Sequence, residues 1–321
     1  MEKPYVVGID IGGQTAKIGI VNARGEILGQ TTIPSNQHTD ATLFIETLCA
    51  AIQTLASDNH INISEIRGIG VGAPNGNYYK GTIEYAVNLT WGGNNLIPLT
   101  DIMSKRLSIP VVLTNDANAA AMGEMAYGAA RGMKNFIMIT LGTGVGSGIV
   151  VDGKILYGHD GFAGELGHIS IVRNNGRACS CGKNGCLEAY ASAVGVARTA
   201  REMLETTSRE SLLRTLPYEK ITSKDVSEAA QQGDKMAKEI FDFTGKILGE
   251  AFADFVAFSS PEAIILFGGL TKSGDLIIKP IIENMEKNLL PLWRGKVKVM
   301  FSQLKESDAA ILGASALAWE L

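Results

Sequence analysis

Residues 6–28, VVGIDIGGQTAKIGIVNARGEIL, and residues 136–156, FIMITLGTGVGSGIVVDGKIL, are two versions of one pattern. Each has an apolar run, a glycine-rich turn, a second apolar run, a polar turn and a third run, which predicts strands joined by tight turns. When Gly19-Ile20-Val21 is aligned with Gly148-Ile149-Val150, the first turn is one residue longer in the first copy than in the second. Two copies of one supersecondary unit, one near the start of each predicted domain, indicate a duplication.

Outside these copies, helical periodicity alternates with short buried strands, which is typical of an α/β protein. The predicted helices are 41–55 with Asp40 as N-cap, 99–107, 117–128, 189–204, 235–258, 276–290 and 309–319. Further strands are predicted at 66–71, 111–113, 263–267 and 297–301, and residues 206–224 are expected to form a polar connection containing a short apolar helix. We expect two domains, 1–117 plus 305–321 and 118–304, with the final helix returning to the first.

Composition narrows the class of protein. The chain has 321 residues and a net charge of −4, which gives no field for attracting nucleic acid or an anionic membrane. No stretch approaches the ~20 apolar residues that cross a bilayer, so we expect a soluble, cytoplasmic protein. Three of the four cysteines are clustered, and in a reducing compartment this favours a metal over disulfides.

Three glycine turns are candidates for binding phosphate, because glycine lets backbone N–H groups approach an anion closely. They are Gly12-Gly13, preceded by Asp10, then Gly142-Thr143-Gly144, and Gly268-Gly269 after a buried strand. The alternative is ordinary hairpin turns, since neither GxxxxGK[ST] nor GxGxxG followed by a helix is present. Asp10 is expected to reach phosphates through hydrated Mg²⁺, or else to cap its turn.

Asn115-Asp116 follows a buried strand and opens a helix, where open α/β sheets place their ligands. Asp116 also stands where a helix N-cap belongs, although Asn115 or Asn118 could cap instead. If the reaction is phosphoryl transfer, a carboxylate must accept the proton of the attacking hydroxyl. Asp116 is our candidate for that base.

Residues 161–188, GFAGELGHISIVRNNGRACSCGKNGCLE, contain His168 followed by Cys179-x-Cys181-x4-Cys186. Three thiolates and an imidazole form closed, tetrahedral structural zinc sites. Four protein ligands leave no open position for chemistry, so we expect a zinc that stiffens the loop. Glu165, Glu188 and the imidazole are then expected to hold the substrate.

Five segments together resemble the ROK family of sugar kinases and repressors: DIGG at 10–13, TNDANAAAMGE at 114–124, LGTGVGSGIVVDGKI at 141–155, GFAGELGH at 161–168 and CSCGKNGCLE at 179–188. The resemblance runs from Tyr5 to Trp319. It implies the actin-like, hexokinase-type (ribonuclease H-like) fold, in which sugar and ATP bind in a cleft between two α/β domains.

The resemblance implies ATP-dependent phosphorylation of a hexose at its 6-hydroxyl, with glucose as the expected sugar and glycolysis as the setting. N-acetylmannosamine, N-acetylglucosamine and fructose remain alternative substrates. A sugar-responsive repressor is a further alternative, although repressors carry a helix-turn-helix domain before the first strand and only four residues precede it here. The family also implies a homodimer or homotetramer.

Carried over by motif, the resemblance implies the following roles. Asp116 is the base, and the sugar-binding residues are Asn88, Asn115, Asp116, Glu165, His168 and Glu188. The residues expected from the glycine turns to contact ATP and Mg²⁺ are Asp10, Gly12, Gly13, Gln14, Thr15, Gly142, Thr143, Gly144, Gly268 and Gly269. The implied zinc ligands are His168, Cys179, Cys181 and Cys186. Gln14-Thr15 departs from the usual DIGGT, which leaves ATP and another phosphoryl donor both open.

Overall fold

The structure is a computed structural model, and it describes residues 3–93, 95–305 and 308–321. Its strands are β1 Tyr5–Ile11, β2 Thr15–Asn22, β3 Ile27–Pro34, β4 Ile66–Gly72, β5 Gly76–Asn77, β6 Thr82–Glu84, β7 Leu96–Ile97, β8 Val111–Thr114, β9 Phe136–Leu141, β10 Val145–Val151, β11 Lys154–Ile155, β12 Ala263–Phe267 and β13 Lys298–Phe301. Its α-helices are α1 Ala41–Asp58, α2 Leu99–Leu107, α3 Asp116–Tyr127, α4 Glu188–Ala191, α5 Ala193–Thr206, α6 Ser223–Gln231, α7 Lys235–Ser259, α8 Asp275–Asn288 and α9 Ala309–Ala318.

The strands form two five-stranded sheets and one small sheet. The first sheet has the order β3-β2-β1-β4-β8, the second β11-β10-β9-β12-β13, and β5-β6-β7 form the small one. In the first sheet β1, β2 and β3 pair antiparallel in sequence, so the predicted three-stranded meander is confirmed. The parallel pairs are β1 with β4 and β4 with β8.

Parallel pairing brings three strand ends to one edge of the first sheet. Asp10 at the end of β1 is opposite Gly72 of β4, and Gly72 is opposite Thr114 of β8. Because parallel strands end on the same side, the residues that follow them are neighbours in space. This register carries Asp116, two residues beyond β8, toward Asp10.

Helix α9 lies directly on β1 and β4. A Cβ atom at Gly8 would lie 2.1 Å from the carbonyl oxygen of Ile311, and one at Gly70 would lie 1.9 Å from that of Ala314. Only glycine permits backbones to approach this closely. With the exception of Ala310 and Leu312 the residues of α9 are buried, which explains its apolar sequence.

Two compact units divide the chain. The first contains residues up to Met133, Gly148–Gly164 and residues from Gln303 onward, and the second contains Lys134–Ser147 and Glu165–Ser302. The first unit thus includes α3 and residues 148–164, which lie outside the predicted limits of the first domain. The limits at 117 and 305 stay a prediction about domains, whereas the units are defined by packing.

Two helix predictions need correction. The predicted helix 189–204 is two helices, because the hydroxyl of Ser192 accepts a hydrogen bond from the N–H of Gly195 and starts α5 afresh. Helix α6 was not predicted, although Thr222 and Asp225 form a capping box at its start. The short apolar helix expected within 206–224 is a pair of 3₁₀ turns, Leu212–Thr215 and Tyr218–Lys220. Among the described helices, none has the length and apolarity to cross a bilayer.

Candidate active site

Asp116 is the first residue of α3 and follows β8 after a single residue. The cap of this helix is Asn115, whose Oδ1 accepts a hydrogen bond from the N–H of Asn118 at 2.7 Å. Asp116 Oδ1 accepts from the N–H of Ala117 at 2.9 Å, and the residue is exposed. Since Asn115 performs the capping, the Asp116 carboxylate is available for a ligand. The Asn115 Nδ2 amide is the part of that side chain left to donate to one.

Asp10 is half-buried in the same unit. Burial and the nearby Asp116 carboxylate together raise the pKa of Asp10 to about 6, and the Lys17 ammonium opposes the rise. Burial by surrounding atoms also raises the pKa of Asp116, against the effect of the Ala117 N–H. Two repelling carboxylates form an arrangement that a hydrated divalent cation would stabilise.

The first glycine turn joins β1 to β2. The N–H of Gly12 donates to the carbonyl of Thr15 at 2.9 Å, and Gln14 and Thr15 are exposed. A Cβ at Gly13 would lie 2.8 Å from the carbonyl oxygen of Asn88. The fold therefore brings Asn88, one of the predicted sugar-binding residues, against the first glycine turn.

Asn88 is held by its neighbours in the sequence. Leu89 and Trp91 are buried, and the Trp91 ring stacks on Phe44 of α1 with 4.4 Å between ring centroids. Asn88 itself is exposed. The apolar anchors fix the backbone of this loop and leave the Asn88 amide accessible.

The second and third glycine turns lie together in the second unit. Between β9 and β10, the N–H of Gly142 donates to the carbonyl of Gly144 at 3.0 Å, and Thr143 is exposed. Gly268 has a φ of +108°, and a Cβ there would lie 2.6 Å from the carbonyl oxygen of Leu141. Gly269 starts a 3₁₀ turn, Gly269–Ser273. Because β9 and β12 pair in parallel, the two turns that follow them lie at the same end of the second sheet.

The four predicted metal ligands form one cluster. His168, Cys179, Cys181 and Cys186 each offer a ligand atom, and these atoms lie within 4.8 Å of one another. His168 Nδ1 is 3.7 Å from Cys179 Sγ, and Cys181 Sγ is 3.6 Å from Cys186 Sγ. Zn–S and Zn–N bonds of ~2.3 and ~2.0 Å at tetrahedral angles place ligand atoms roughly 3.6–3.8 Å apart. The cluster therefore fits a tetrahedral zinc ion.

Three predicted sugar-binding residues belong to the second unit. His168 is a member of this cluster, and Glu165 and Glu188 flank it in the sequence. Glu165 is exposed and precedes the 3₁₀ turn Leu166–His168, and Glu188 is the first residue of α4. His168 uses Nδ1 toward Cys179, so Nε2 is the ring nitrogen left for a ligand. The Glu188 carboxylate accepts from the Val145 N–H at 3.0 Å and from the Ser180 hydroxyl at 3.2 Å.

Arg177, at the base of the cysteine loop, was missed by the sequence analysis. Its guanidinium donates to the carbonyls of Ala189 and Gly195 and to the Thr199 hydroxyl, and pairs with Glu202. Its carbon Cζ lies 4.5 Å from the centre of the Tyr190 ring. The sequence shows only that an arginine stands two residues before Cys179. That position does not predict which groups the guanidinium contacts.

Comparison of the sequence with known proteins identifies one family and several relatives of nearly the same length. The family model described as ROK family matches residues 6–320. A glucokinase of Halalkalibacterium halodurans is 40% identical over 317 residues, 98% of this chain and 94% of that protein. A glucokinase of Thermotoga maritima is 35% identical over 320 residues, 99% of this chain and 98% of that protein.

Solved structures agree. A ROK family glucokinase from Streptomyces griseus, in complex with glucose and AMPPNP, superimposes with a TM-score of 0.80 and 33% identity over 99% of this chain and 100% of that one. A ROK hexokinase from Thermus thermophilus superimposes with a TM-score of 0.82 and 27% identity over 98% of both chains. The predicted actin-like, hexokinase-type α/β fold is confirmed.

Proposed function

The chain belongs to the ROK family, and we propose on this premise that it transfers the terminal phosphoryl group of ATP to the 6-hydroxyl of glucose. The observation that carries the proposal is the placement of Asp116. Its carboxylate stands at the end of a buried parallel strand, is freed from capping by Asn115, and lies near a second carboxylate, Asp10. The identity to glucokinases over nearly the full chain supports glucose as the sugar.

Asp116 is proposed to accept the proton of the 6-hydroxyl as that oxygen attacks phosphorus. A carboxylate positioned for this contributes typically 10²–10⁴-fold to the rate. Burial raises the pKa of this carboxyl, which makes it a stronger base than an ordinary aspartate. Asn115 and Asn88 are proposed to hold the sugar by amide hydrogen bonds.

Asp10 is proposed to hold hydrated Mg²⁺ at the phosphates. Bound Mg²⁺ would neutralise charge that develops on the phosphoryl oxygens. In the turns at Gly12–Thr15, Gly142–Gly144 and Gly268–Gly269, the backbone N–H groups other than those of Gly12 and Gly142, which donate within their turns, are proposed to contact the phosphates. The AMPPNP bound by the Streptomyces griseus glucokinase supports ATP as the donor.

Zinc is proposed to be held by His168, Cys179, Cys181 and Cys186 and to have a structural role. The ligand spacing supports this assignment, since it matches a closed tetrahedral site. His168 Nε2 would then be fixed as an N–H donor toward a sugar hydroxyl. Glu165 and Glu188 are proposed to accept hydrogen bonds from other hydroxyls.

The test is ADP release from ATP-Mg²⁺ with glucose, mannose, fructose, N-acetylglucosamine and N-acetylmannosamine. We expect the highest kcat/KM with glucose. A higher value with an acetylated sugar would move the assignment to an amino-sugar kinase. Absence of turnover with every sugar, with ATP and with polyphosphate, would contradict the kinase proposal.

The family also leads us to propose a homodimer or homotetramer. Light scattering coupled to size exclusion measures the mass directly. A monomeric mass at micromolar concentration would contradict this assignment and leave the proposed activity untouched.

A further inference from the structure

The carboxylate of Glu188 contacts two regions at once. Oε1 accepts from the hydroxyl of Ser180 at 3.2 Å and lies 3.6 Å from Cys179 Sγ, both in the cysteine loop. Oε2 accepts from the backbone N–H of Val145 at 3.0 Å, directly after the glycine turn. One side chain thus joins the metal loop to the turn proposed to bind phosphate.

The turn is shaped around this carboxylate. A Cβ at Gly144 would lie 2.5 Å from Glu188 Oε2, whereas a Cβ at Gly142 would have nothing within 4 Å. The carbonyl of Gly142 accepts from the N–H of Ala193, which fixes the turn from its other side. Gly144 is therefore the position at which a larger residue would displace Glu188.

A second set of contacts joins the start of β10, directly after this turn, to the loop carrying Glu165 and His168. The N–H of Leu166 donates to the hydroxyl of Ser147 at 3.0 Å. A Cβ at Gly167 would lie 2.0 Å from the carbonyl oxygen of Val145. The start of β10, which follows the glycine turn, therefore packs against the loop that carries two of the proposed sugar-binding residues of this unit.

We propose that Glu188 is a positioning residue that couples sugar binding to nucleotide binding within the second unit. The inference rests on the proposed function, because it assumes that Glu188 meets sugar and that the turn meets phosphate. A hydroxyl that orders the carboxylate also orders its bond to the Val145 N–H, so bound sugar prepares the turn for nucleotide. By thermodynamic linkage, nucleotide must strengthen sugar binding by the same factor.

The pair Gly144→Ala and Gly142→Ala tests this coupling, since the two glycines belong to one turn and differ in their neighbour. The clash in Gly144→Ala is with the end of a flexible side chain, so we expect the carboxylate to move and the fold to remain. Calorimetric titration with glucose, without nucleotide, should show glucose binding weakened about tenfold. This factor corresponds to the loss of one charge-assisted hydrogen bond. Gly142→Ala should bind glucose within about twofold of wild type. Equal glucose affinity of the two variants would overturn the proposal.

Glu188→Ala gives the reciprocal measurement and covers the case in which Gly144→Ala does not fold. AMPPNP-Mg²⁺ binding without sugar should weaken several-fold although Glu188 is not proposed to touch nucleotide, while zinc content stays at one ion per chain. Unchanged AMPPNP affinity would show that the turn holds itself and would overturn the coupling. Turnover of glucose by the wild-type protein tests the proposed function separately, so the two failures are distinguishable.

Discussion

The edge carrying Asp10 and Asp116 and the loop carrying His168 and the three cysteines are built by opposite means. The first is a row of strand ends, held in register by backbone hydrogen bonds between β1, β4 and β8. The second contains a 3₁₀ turn, isolated bridges such as Ser170 with Cys186, and backbone hydrogen bonds that form no regular ladder. Both carry predicted site residues, and only the first is itself made of paired strand ends.

The difference predicts how each region responds to substitution. At the strand edge, the backbone ladder persists when a carboxylate is removed, so chemistry is lost and structure is kept. In the metal loop, backbone pairing is irregular and the four ligand side chains converge on one point, so removing a ligand removes part of the structure. A substitution at the strand edge should therefore lower activity while the structure is kept, whereas a substitution in the metal loop should change both.

The largest effect is expected from Asp116→Asn. Loss of the proposed base should lower kcat for glucose by about 10²–10⁴-fold, with little change in the circular dichroism spectrum or in glucose affinity. Asp58→Asn, an exposed substitution at the end of α1, is the matched control and should keep wild-type kcat. Wild-type turnover by Asp116→Asn would remove the base assignment.

Next in size is the double substitution Cys179→Ser with Cys181→Ser. Two of four ligands are lost, so zinc should be released, amide exchange should accelerate across 161–188, and glucose affinity should fall by roughly 10–100-fold. Exchange in β1, β4 and β8 should stay as in wild type. Cys49→Ala, at a buried position of α1, controls for the loss of a thiol, and this variant should retain zinc. A metal-free wild-type protein with full activity would contradict the structural role of zinc.

A smaller effect is expected from Arg177→Met. This substitution keeps the four metal ligands and removes the guanidinium that hydrogen-bonds the start of the cysteine loop to α4 and α5. The buried partners lose their donor, which costs about 1–3 kcal/mol of stability. If Arg177 positions α4 and Glu188, the KM for glucose should rise several-fold with kcat nearly constant and zinc retained. Arg177→Lys should restore part of the affinity. A fall in kcat alone would contradict a positioning role.

The smallest effect is on stability at the strand edge. The pKa of folded Asp10 is about 6, above the ~3.9 of an unfolded aspartate. Its ionisation therefore destabilises the fold increasingly as pH rises from about 4 to 6, and by a constant amount above that. Asp10→Asn removes this term, so its advantage in free energy of unfolding should grow by about 1–2 kcal/mol between pH 4.5 and 7.5, allowing for partial exposure. Urea unfolding without Mg²⁺ or nucleotide measures it, and a pH-independent difference would contradict the cause given.

Much of the first unit could be predicted because its signals are local. The β1–β3 meander follows from alternating apolar residues, and the N-cap of α1 is Asp40 as predicted, accepting from the Leu43 N–H at 2.9 Å. The break at Ser192 and helix α6 were missed, because a serine inside a helical pattern and a short polar helix leave the apolar periodicity nearly unchanged.

The sequence by itself determined the duplicated α/β pattern, the family and the identity of the cysteine–histidine cluster, because these depend on residue type and spacing along the chain. Only the tertiary structure decided that Asp10 stands near Asp116, that Asn88 meets the first glycine turn, and that Glu188 links the metal loop to Val145. These pairs are separated by 43 to 106 residues of chain. Their contacts arise from strand register and close backbone packing, which no local pattern records.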